Sequence, residues 1–159
     1  MRALTPVVER VLIVLAVFTC ATIGRSHDAR ATLGGAASTI ADNHTHLGGA
    51  HRIVKLATGE RHELTLPSGM IVHQYVSSAG LVYAIAWRGP QMPDLRELLG
   101  AYFPRLSKAA ALPGGGHHRV TMALDDLIVE SSGHRRSFSG RAWVPSLVPS
   151  GVDPKVSIQ

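Results

Sequence analysis

The sequence is poor in cysteine and in aromatic residues, and each shortage narrows what the protein can be. One of its 159 residues is Cys, and aromatic residues make up 5%. A single Cys excludes both an internal disulfide framework and a zinc site made of several thiolates. A hydrophobic content of 45% excludes a wholly disordered chain. The length leaves room for one domain with a modest core.

The sequence also lacks an apolar run long enough to cross a bilayer. Its longest run, residues 11–23, has 13 residues, whereas a spanning helix needs roughly 20. The run follows Arg2 and Arg10, and it precedes Ala29-Arg30-Ala31, which matches the small-x-small site of signal peptidase. Residues 1–31 are therefore predicted to be a signal peptide that is cleaved after its last alanine and meets the membrane only transiently.

Two alternatives concern this first segment. Glu9 lies among the basic residues of the signal, which leaves an uncleaved anchor open. Cys20 raises the possibility of a lipoprotein, but Phe18-Thr19 precedes it where a small residue is required. If cleavage follows Ala31, the exported chain contains no Cys and needs no disulfide machinery in an oxidising compartment.

A large excess of charge of one sign is missing as well. The formal charge is +5, and removal of residues 1–31 leaves twelve Lys or Arg against nine Asp or Glu. Twelve basic residues scattered over 128 positions are typical of a solvated surface. We therefore expect no nucleic-acid partner.

Three regions follow the signal. Residues 32–50 are rich in Gly, Ala, Ser and Thr, and we expect a flexible N-terminal arm. A single domain is predicted over residues 51–145. Pro149 and Pro154 then predict an irregular tail over residues 146–159.

The domain alternates short runs of β-branched and aromatic residues with turn sequences, which predicts an antiparallel β-meander of about six strands. Pro93-Asp94 predicts the start of one main helix, which Pro104 should end or kink. The apolar stripe of this helix has helical spacing and consists of Leu95, Leu98, Leu99, Tyr102 and Leu106. The fold class is therefore α+β, with the amphipathic helix packed on the sheet.

The run from Leu81 to Arg88 predicts which face of the sheet the helix covers. Strict alternation places Tyr83, Ile85 and Trp87 on one face and the smaller Ala84 and Ala86 on the other. We expect the helix to approach over the alanines.

Histidines provide the candidate metal ligands. His44, His46 and His51 are closely spaced, alternate residues of an extended chain point to one side, and imidazole suits Zn, Cu or Ni. The alternative is a polar, solvated arm. A second candidate pairs His62 with His73 across the first hairpin beside Glu63, unless these are ordinary strand residues.

Hydrolase chemistry has weaker support. Ser132 and His134 with Asp125 or Asp126 contain the residue types of a catalytic triad. The sequence has no nucleophile elbow of the Gly-x-Ser-x-Gly kind, and serines in turns commonly serve local hydrogen bonds. No catalytic residue and no cofactor is predicted.

One basic and aromatic cluster remains. Arg135-Arg136 and Arg141 lie near Phe138 and Trp143, a mixture that could contact an anionic surface. The alternative is a hairpin whose charges keep its outer face soluble.

Five phrases together resemble a known family. They are Thr32-Leu33-Gly34-Gly35, Glu63-Leu64-Thr65-Leu66-Pro67-Ser68-Gly69, Pro93-Asp94-Leu95-Arg96-Glu97-Leu98-Leu99-Gly100-Ala101-Tyr102-Phe103, Val129-Glu130-Ser131-Ser132-Gly133-His134 and Gly140-Arg141-Ala142. The sequence resembles a bacterial family of short exported proteins that is defined only as a domain of unknown function. The resemblance covers nearly all of residues 32–152 and implies export from a Gram-negative cell. It carries no catalytic residues to transfer.

The residues and the resemblance favour one functional class over two others. The leading hypothesis is an exported, periplasmic or secreted, non-enzymatic domain that binds a protein or envelope partner. The first alternative is a periplasmic metal-binding protein that uses its His clusters. A small hydrolase is the least favoured.

Overall fold

The structure is a computed structural model that describes residues 32–38, 40, 49–110 and 119–159. The predicted signal peptide and the candidate ligands His44 and His46 lie outside the described residues.

Seven antiparallel strands form one sheet. They are β1 (Ala50–Leu56), β2 (Gly59–Thr65), β3 (Ile71–Ser77), β4 (Val82–Gly89), β5 (Arg119–Leu124), β6 (Leu127–His134) and β7 (Ser137–Trp143). Their order across the sheet is β1-β2-β3-β4-β7-β6-β5, so two meanders meet where β4 pairs with β7. The predicted α+β class is confirmed, with seven strands where about six were expected.

The main helical segment connects the two meanders. It consists of α1 (Leu95–Leu99), a 3-10 turn (Gly100–Tyr102) and α2 (Phe103–Ala110). Asp94 caps α1, and its carboxylate accepts hydrogen bonds from the backbone N–H groups of Arg96 and Glu97 at 2.8 and 3.3 Å. Pro104 lies in the first turn of α2, where a missing N–H is tolerated. The predicted interruption near this proline is present as the 3-10 turn.

The helical segment packs on one face of the sheet, here called the helix face. Its Leu98, Leu99 and Leu106 are buried in one cluster with Ile85 and Trp87 of β4. The predicted apolar stripe of the helix is thus confirmed, but the expectation that the helix lies over the alanines of β4 is wrong.

Ile85 and Trp87 keep the predicted alternation, and the leucines of the helical segment pack on these larger apolar side chains. A β-bulge in the pairing of β3 with β4 changes the faces of the residues that precede them. Tyr75 pairs with Ala84 and Val76 with Val82, which leaves Tyr83 as an extra residue. An extra residue reverses the alternation of side chains beyond it. Val82 therefore shares the helix face with Ile85, while Tyr83 and Ala84 lie together on the opposite face.

The C-terminal segment covers that opposite face, here called the tail face. It contains a 3-10 turn (Pro145–Leu147) and the short helix α3 (Pro154–Ser157). Pro154 begins α3, and Asp153 caps it with a hydrogen bond from the N–H of Lys155 at 2.9 Å. The segment is more regular than its prolines predict because a proline is favourable at the start of a helix. Ile158 is buried against Tyr75, Tyr83 and Trp143.

The described part of the expected flexible arm contacts the domain closely. Leu33 is buried in the helix-face core, and its N–H donates to the carbonyl of Leu98 at 3.0 Å. Gly34 donates to the carbonyl of Val82 at 2.8 Å. The segment predicted to follow the cleavage site is therefore part of the fold.

Candidate binding groove

His51, the one described member of the predicted metal set, pairs with another histidine. Its Nε2 lies 3.1 Å from Nδ1 of His62, and the two rings are stacked with centroids 5.2 Å apart. That separation of the nitrogens is a hydrogen bond, in which one ring donates and the other accepts. Nε2 of His62 lies 3.6 Å from a carboxylate oxygen of Glu60. Among the described residues, no group of three or more His, Cys, Asp or Glu is placed to hold a metal ion.

Burial governs the protonation of His62. Its side chain lies on the helix face and is 9% exposed. Burial lowers the pKa of His62, and the nearby Glu60 carboxylate opposes part of that shift. His62 is therefore held toward its neutral form in the folded protein.

The predicted pairing of His62 with His73 is wrong. The register of the hairpin places Gln74 opposite His62 and Glu63 opposite His73. Neighbouring positions along a strand point to opposite faces, so His73 lies on the tail face. Its Nδ1 is 2.6 Å from the backbone oxygen of Gln159.

The residues of the hypothetical triad do not converge. Ser132 and His134 are on β6, whereas Asp125 and Asp126 form the turn before that strand. Six strand residues at about 3.3 Å each place Asp126 roughly 20 Å from Ser132. Asp126 instead forms an ion pair with Arg105 of α2.

The uncovered part of the tail face forms a groove of about 640 Å³, here called the sheet groove. The C-terminal segment bounds it with Ile158 and Gln159. Two rows of side chains that run across the strands line its floor. One row is His73, Ala86, Arg141, Glu130 and Thr121, and the other is Ile71, Arg88, Ser139 and Ser132.

The register sets the spacing inside the groove. Arg88, Ser139 and Ser132 occupy directly opposed positions on β4, β7 and β6. Opposed residues have Cβ atoms about 5 Å apart, so one guanidinium and two hydroxyls stand side by side. The small side chain of Ala86 leaves room above the centre of the floor.

Arg141, which the sequence singled out as a possible anion contact, is engaged within the protein. Its Nε and Nη2 lie 2.8 and 2.6 Å from Oε2 of Glu130. Its Nη1 donates to the backbone oxygens of Lys155 and Ile158 at 2.7 and 3.1 Å. Arg141 therefore attaches the C-terminal segment to the sheet, and Glu130 neutralises its charge.

Three other arginines lie at one end of the sheet: one lines the groove, and two are in a turn roughly 10 Å beyond its outer row. Arg88 is in the outer row, and Arg135-Arg136 forms the turn that begins three residues beyond Ser132. All three are exposed, and none forms an ion pair with a carboxylate of another described residue. This end of the sheet, with Arg88 in the groove and Arg135-Arg136 in the turn beyond it, is here called the basic mouth, and it carries positive charge that no ion pair among the described residues compensates.

The backbone of Arg136 is unusual. Its φ is +58°, and it is the one non-glycine residue with positive φ in the described part of the chain. The left-handed conformation costs a residue with a Cβ roughly 1–2 kcal/mol, and Gly or Asn would be favoured there. An arginine at such a position suggests that its side chain has a use.

The sequence indicated Arg141 as a possible anion contact and gave no indication that Arg88 lines the groove. The two residues lie on neighbouring strands but in different rows. The pairing of β4 with β7 brings together residues about fifty positions apart, and no local pattern reports it. The one local signal is the alternation along β7, which predicts that Ser139 and Arg141 share a face of the sheet.

One family comparison gives a match. Residues 29–156 match the model of a family described as a protein of unknown function, DUF2844. No curated protein and no solved structure matches the chain. Among the described residues, no helix combines the length and apolar character that crossing a membrane requires.

Proposed function

The chain belongs to the DUF2844 family, which is described as of unknown function, and we propose a function from the geometry: an exported, non-enzymatic protein that binds a ligand in the sheet groove. The observation that carries the proposal is the groove itself. Five strands and the C-terminal segment contribute to it, and its volume of about 640 Å³ lies within the usual range for small-molecule sites. Side chains held on a sheet are well positioned for recognition.

A binding role fits the groove better than catalysis does. Nδ1 of His73 contacts the backbone oxygen of Gln159, and Glu130 is paired with Arg141. The two groups that could exchange protons there are thus engaged in holding the C-terminal segment. Nucleophilic catalysis needs a base within hydrogen-bond reach of a hydroxyl, and no such pair is present among the described residues of the groove.

Export is supported by the pattern of residues 1–31 and by the position of Thr32. Residue 33 is 2% exposed in the helix-face core, so the residues that follow Ala31 contribute to the folded domain. Cleavage after Ala31 would remove the signal and leave this docked segment intact. A cut several residues later would remove Leu33 from the core.

The test of export follows the full chain in a Gram-negative host. N-terminal sequencing of the protein released from the periplasm should begin at Thr32. Retention in the cytoplasm with residues 1–31 intact would contradict export, and membrane retention with those residues attached would indicate an uncleaved anchor.

The test of the groove is native mass spectrometry of the exported protein. A bound ligand should add mass to the protein, and Ser139→Trp should abolish the added mass because the indole fills the groove. Ser78→Trp, in the exposed turn between β3 and β4, is the matched control. Equal retention of ligand by both variants would place the site elsewhere.

A further inference from the structure

We propose that the sheet groove binds a small phosphate monoester of a polyol, with the phosphate at the basic mouth and the hydroxyls over the serine and threonine side chains. This inference rests on the proposed function and names the ligand class of the same site.

The distribution of charge around the sheet groove favours an anionic ligand. Glu130 is the acidic residue that lines the groove, and its carboxylate is paired with Arg141. Glu63, on the same face beyond His73, is paired with Arg61 at 2.5 Å. The positive charge at the mouth therefore has no carboxylate to neutralise it within the described residues, and the mouth attracts anions.

The number of guanidiniums favours phosphate over carboxylate. Arg88, Arg135 and Arg136 all lie at the mouth, and a phosphate monoester carries a charge of about −1.5 to −2 at neutral pH. The planar guanidinium also matches the geometry of phosphate oxygens in paired hydrogen bonds. A carboxylate, with one charge, would leave more of the positive charge uncompensated.

The floor favours a hydroxylated ligand. Ser132, Ser139 and Thr121 each offer a hydroxyl that both donates and accepts hydrogen bonds. Ser132 and Ser139 are directly opposed on β6 and β7, about 5 Å apart, and Thr121 lies in the neighbouring row on β5, diagonal to Ser132 at roughly 7–8 Å. Hydroxyl groups along a short carbon chain can pair with these three side chains, whereas an apolar ligand would leave them unsatisfied.

The strained turn provides independent support. Arg136 occupies its left-handed position at a cost in stability, although the turn would form more readily with Asn or Gly. The arginine places a positive charge at the basic mouth at that cost. Arg136→Asn should therefore raise the stability of the fold while weakening binding of the ligand, a combination that a purely structural role does not predict.

The experiment is isothermal titration calorimetry of the purified protein with glycerol 3-phosphate. Binding is expected for the unchanged protein, and Arg88→Gln and Arg136→Asn should each weaken it about tenfold or more. Lys108→Gln, which removes one charge from an exposed position on α2, should leave the affinity unchanged. Urea unfolding of the same variants shows that each is folded.

One further probe shows whether the phosphate monoester is bound as part of a lipid or as a soluble molecule. Phosphatidylcholine vesicles that contain phosphatidic acid present the phosphate monoester on a lipid. Binding to these vesicles in preference to soluble glycerol 3-phosphate, with the same losses in the arginine variants, would support the proposal and assign it to a lipid headgroup. Binding to soluble probe alone would assign it to a free metabolite.

Other results would overturn the inference. They are the absence of binding to both probes, or binding that Arg88→Gln and Arg136→Asn leave unchanged. Glycerol that binds as well as glycerol 3-phosphate would also overturn it. A ligand seen by native mass spectrometry and displaced by Ser139→Trp would in each case preserve the proposed function, so the two failures are distinguishable.

Discussion

Arg141 and Glu130 face each other across β7 and β6, with Nη2 of the arginine 2.6 Å from Oε2 of the glutamate. The remaining nitrogen of Arg141 donates to two backbone oxygens of the C-terminal segment. One ion pair thus orients the side chain that holds the segment on the tail face. The wall and the floor of the sheet groove depend on it.

Glu130→Gln should lower the free energy of unfolding by about 2 kcal/mol, because it removes the charge that holds a half-buried guanidinium. Urea unfolding followed by tryptophan fluorescence measures this change. Asp126→Asn is the matched control, since its ion pair with Arg105 is more exposed and its loss should change stability much less. Equal losses in both variants would show that Arg141 is not the anchor described here.

Ile158→Ala should release the C-terminal segment from the tail face. Ile158 is 1% exposed against Tyr75, Tyr83 and Trp143, and truncation of a buried Ile costs about 2 kcal/mol or more. Val156→Ala, at a residue 66% exposed, should change stability by less than about 0.5 kcal/mol. Amide hydrogen exchange checks the local effect: the N–H of Gln159, which donates to Tyr75, should lose protection in the first variant alone.

The sequence predicts the fold class and the helix correctly because both depend on local periodicity. Asp94, the apolar stripe and Pro104 lie within a few residues of each other, so the local sequence pattern predicts the helix. The bulge at Tyr83 is different, since it arises from the register between β3 and β4. That single extra residue places Tyr83 on the face opposite Ile85 and Trp87, where strict alternation had predicted all three together.

The groove is less predictable for the same reason. Strand pairings that no short motif encodes bring His51 into hydrogen-bond contact with His62 and place Arg88 opposite Ser139. The sequence identified the basic turn at Arg135-Arg136 and the aromatic neighbours. It could not show that Arg141 is engaged by the C-terminal segment.

The stability of the protein should fall in mildly acidic solution because of His62. Burial lowers its pKa in the folded state below the ordinary value of 6.5, so the unfolded chain takes up a proton first. The contribution of neutral His62 to the free energy of unfolding is therefore fully present above pH 6.5 and is lost as the pH falls through the lower pKa of the folded state. Urea unfolding at a series of pH values measures it.

His62→Gln should flatten this part of the pH profile, because it removes the group whose pKa burial lowers. His51 and Glu60 face His62 and remain in this variant. A profile that keeps its slope in His62→Gln would show that another group is responsible.

The metal hypothesis for His44, His46 and His51 stays a prediction with its own test. Equilibrium dialysis with Zn²⁺ and with Cu²⁺ measures the affinity, and His51→Gln should reduce it if the three residues bind together. Because His51 pairs with His62, binding should also disturb that hydrogen bond and shift the His62 ring resonances. A dissociation constant no tighter than about millimolar would end the metal hypothesis.

The most direct measurement of the central claim is an NMR titration of the purified protein with glycerol 3-phosphate, followed through the backbone amides. The groove account predicts saturable shifts that share one dissociation constant and cluster at Arg88, Ser132, Arg136 and Ser139, with little change at Lys108. Shifts that scatter over the surface without saturating, or that avoid these residues, would contradict it.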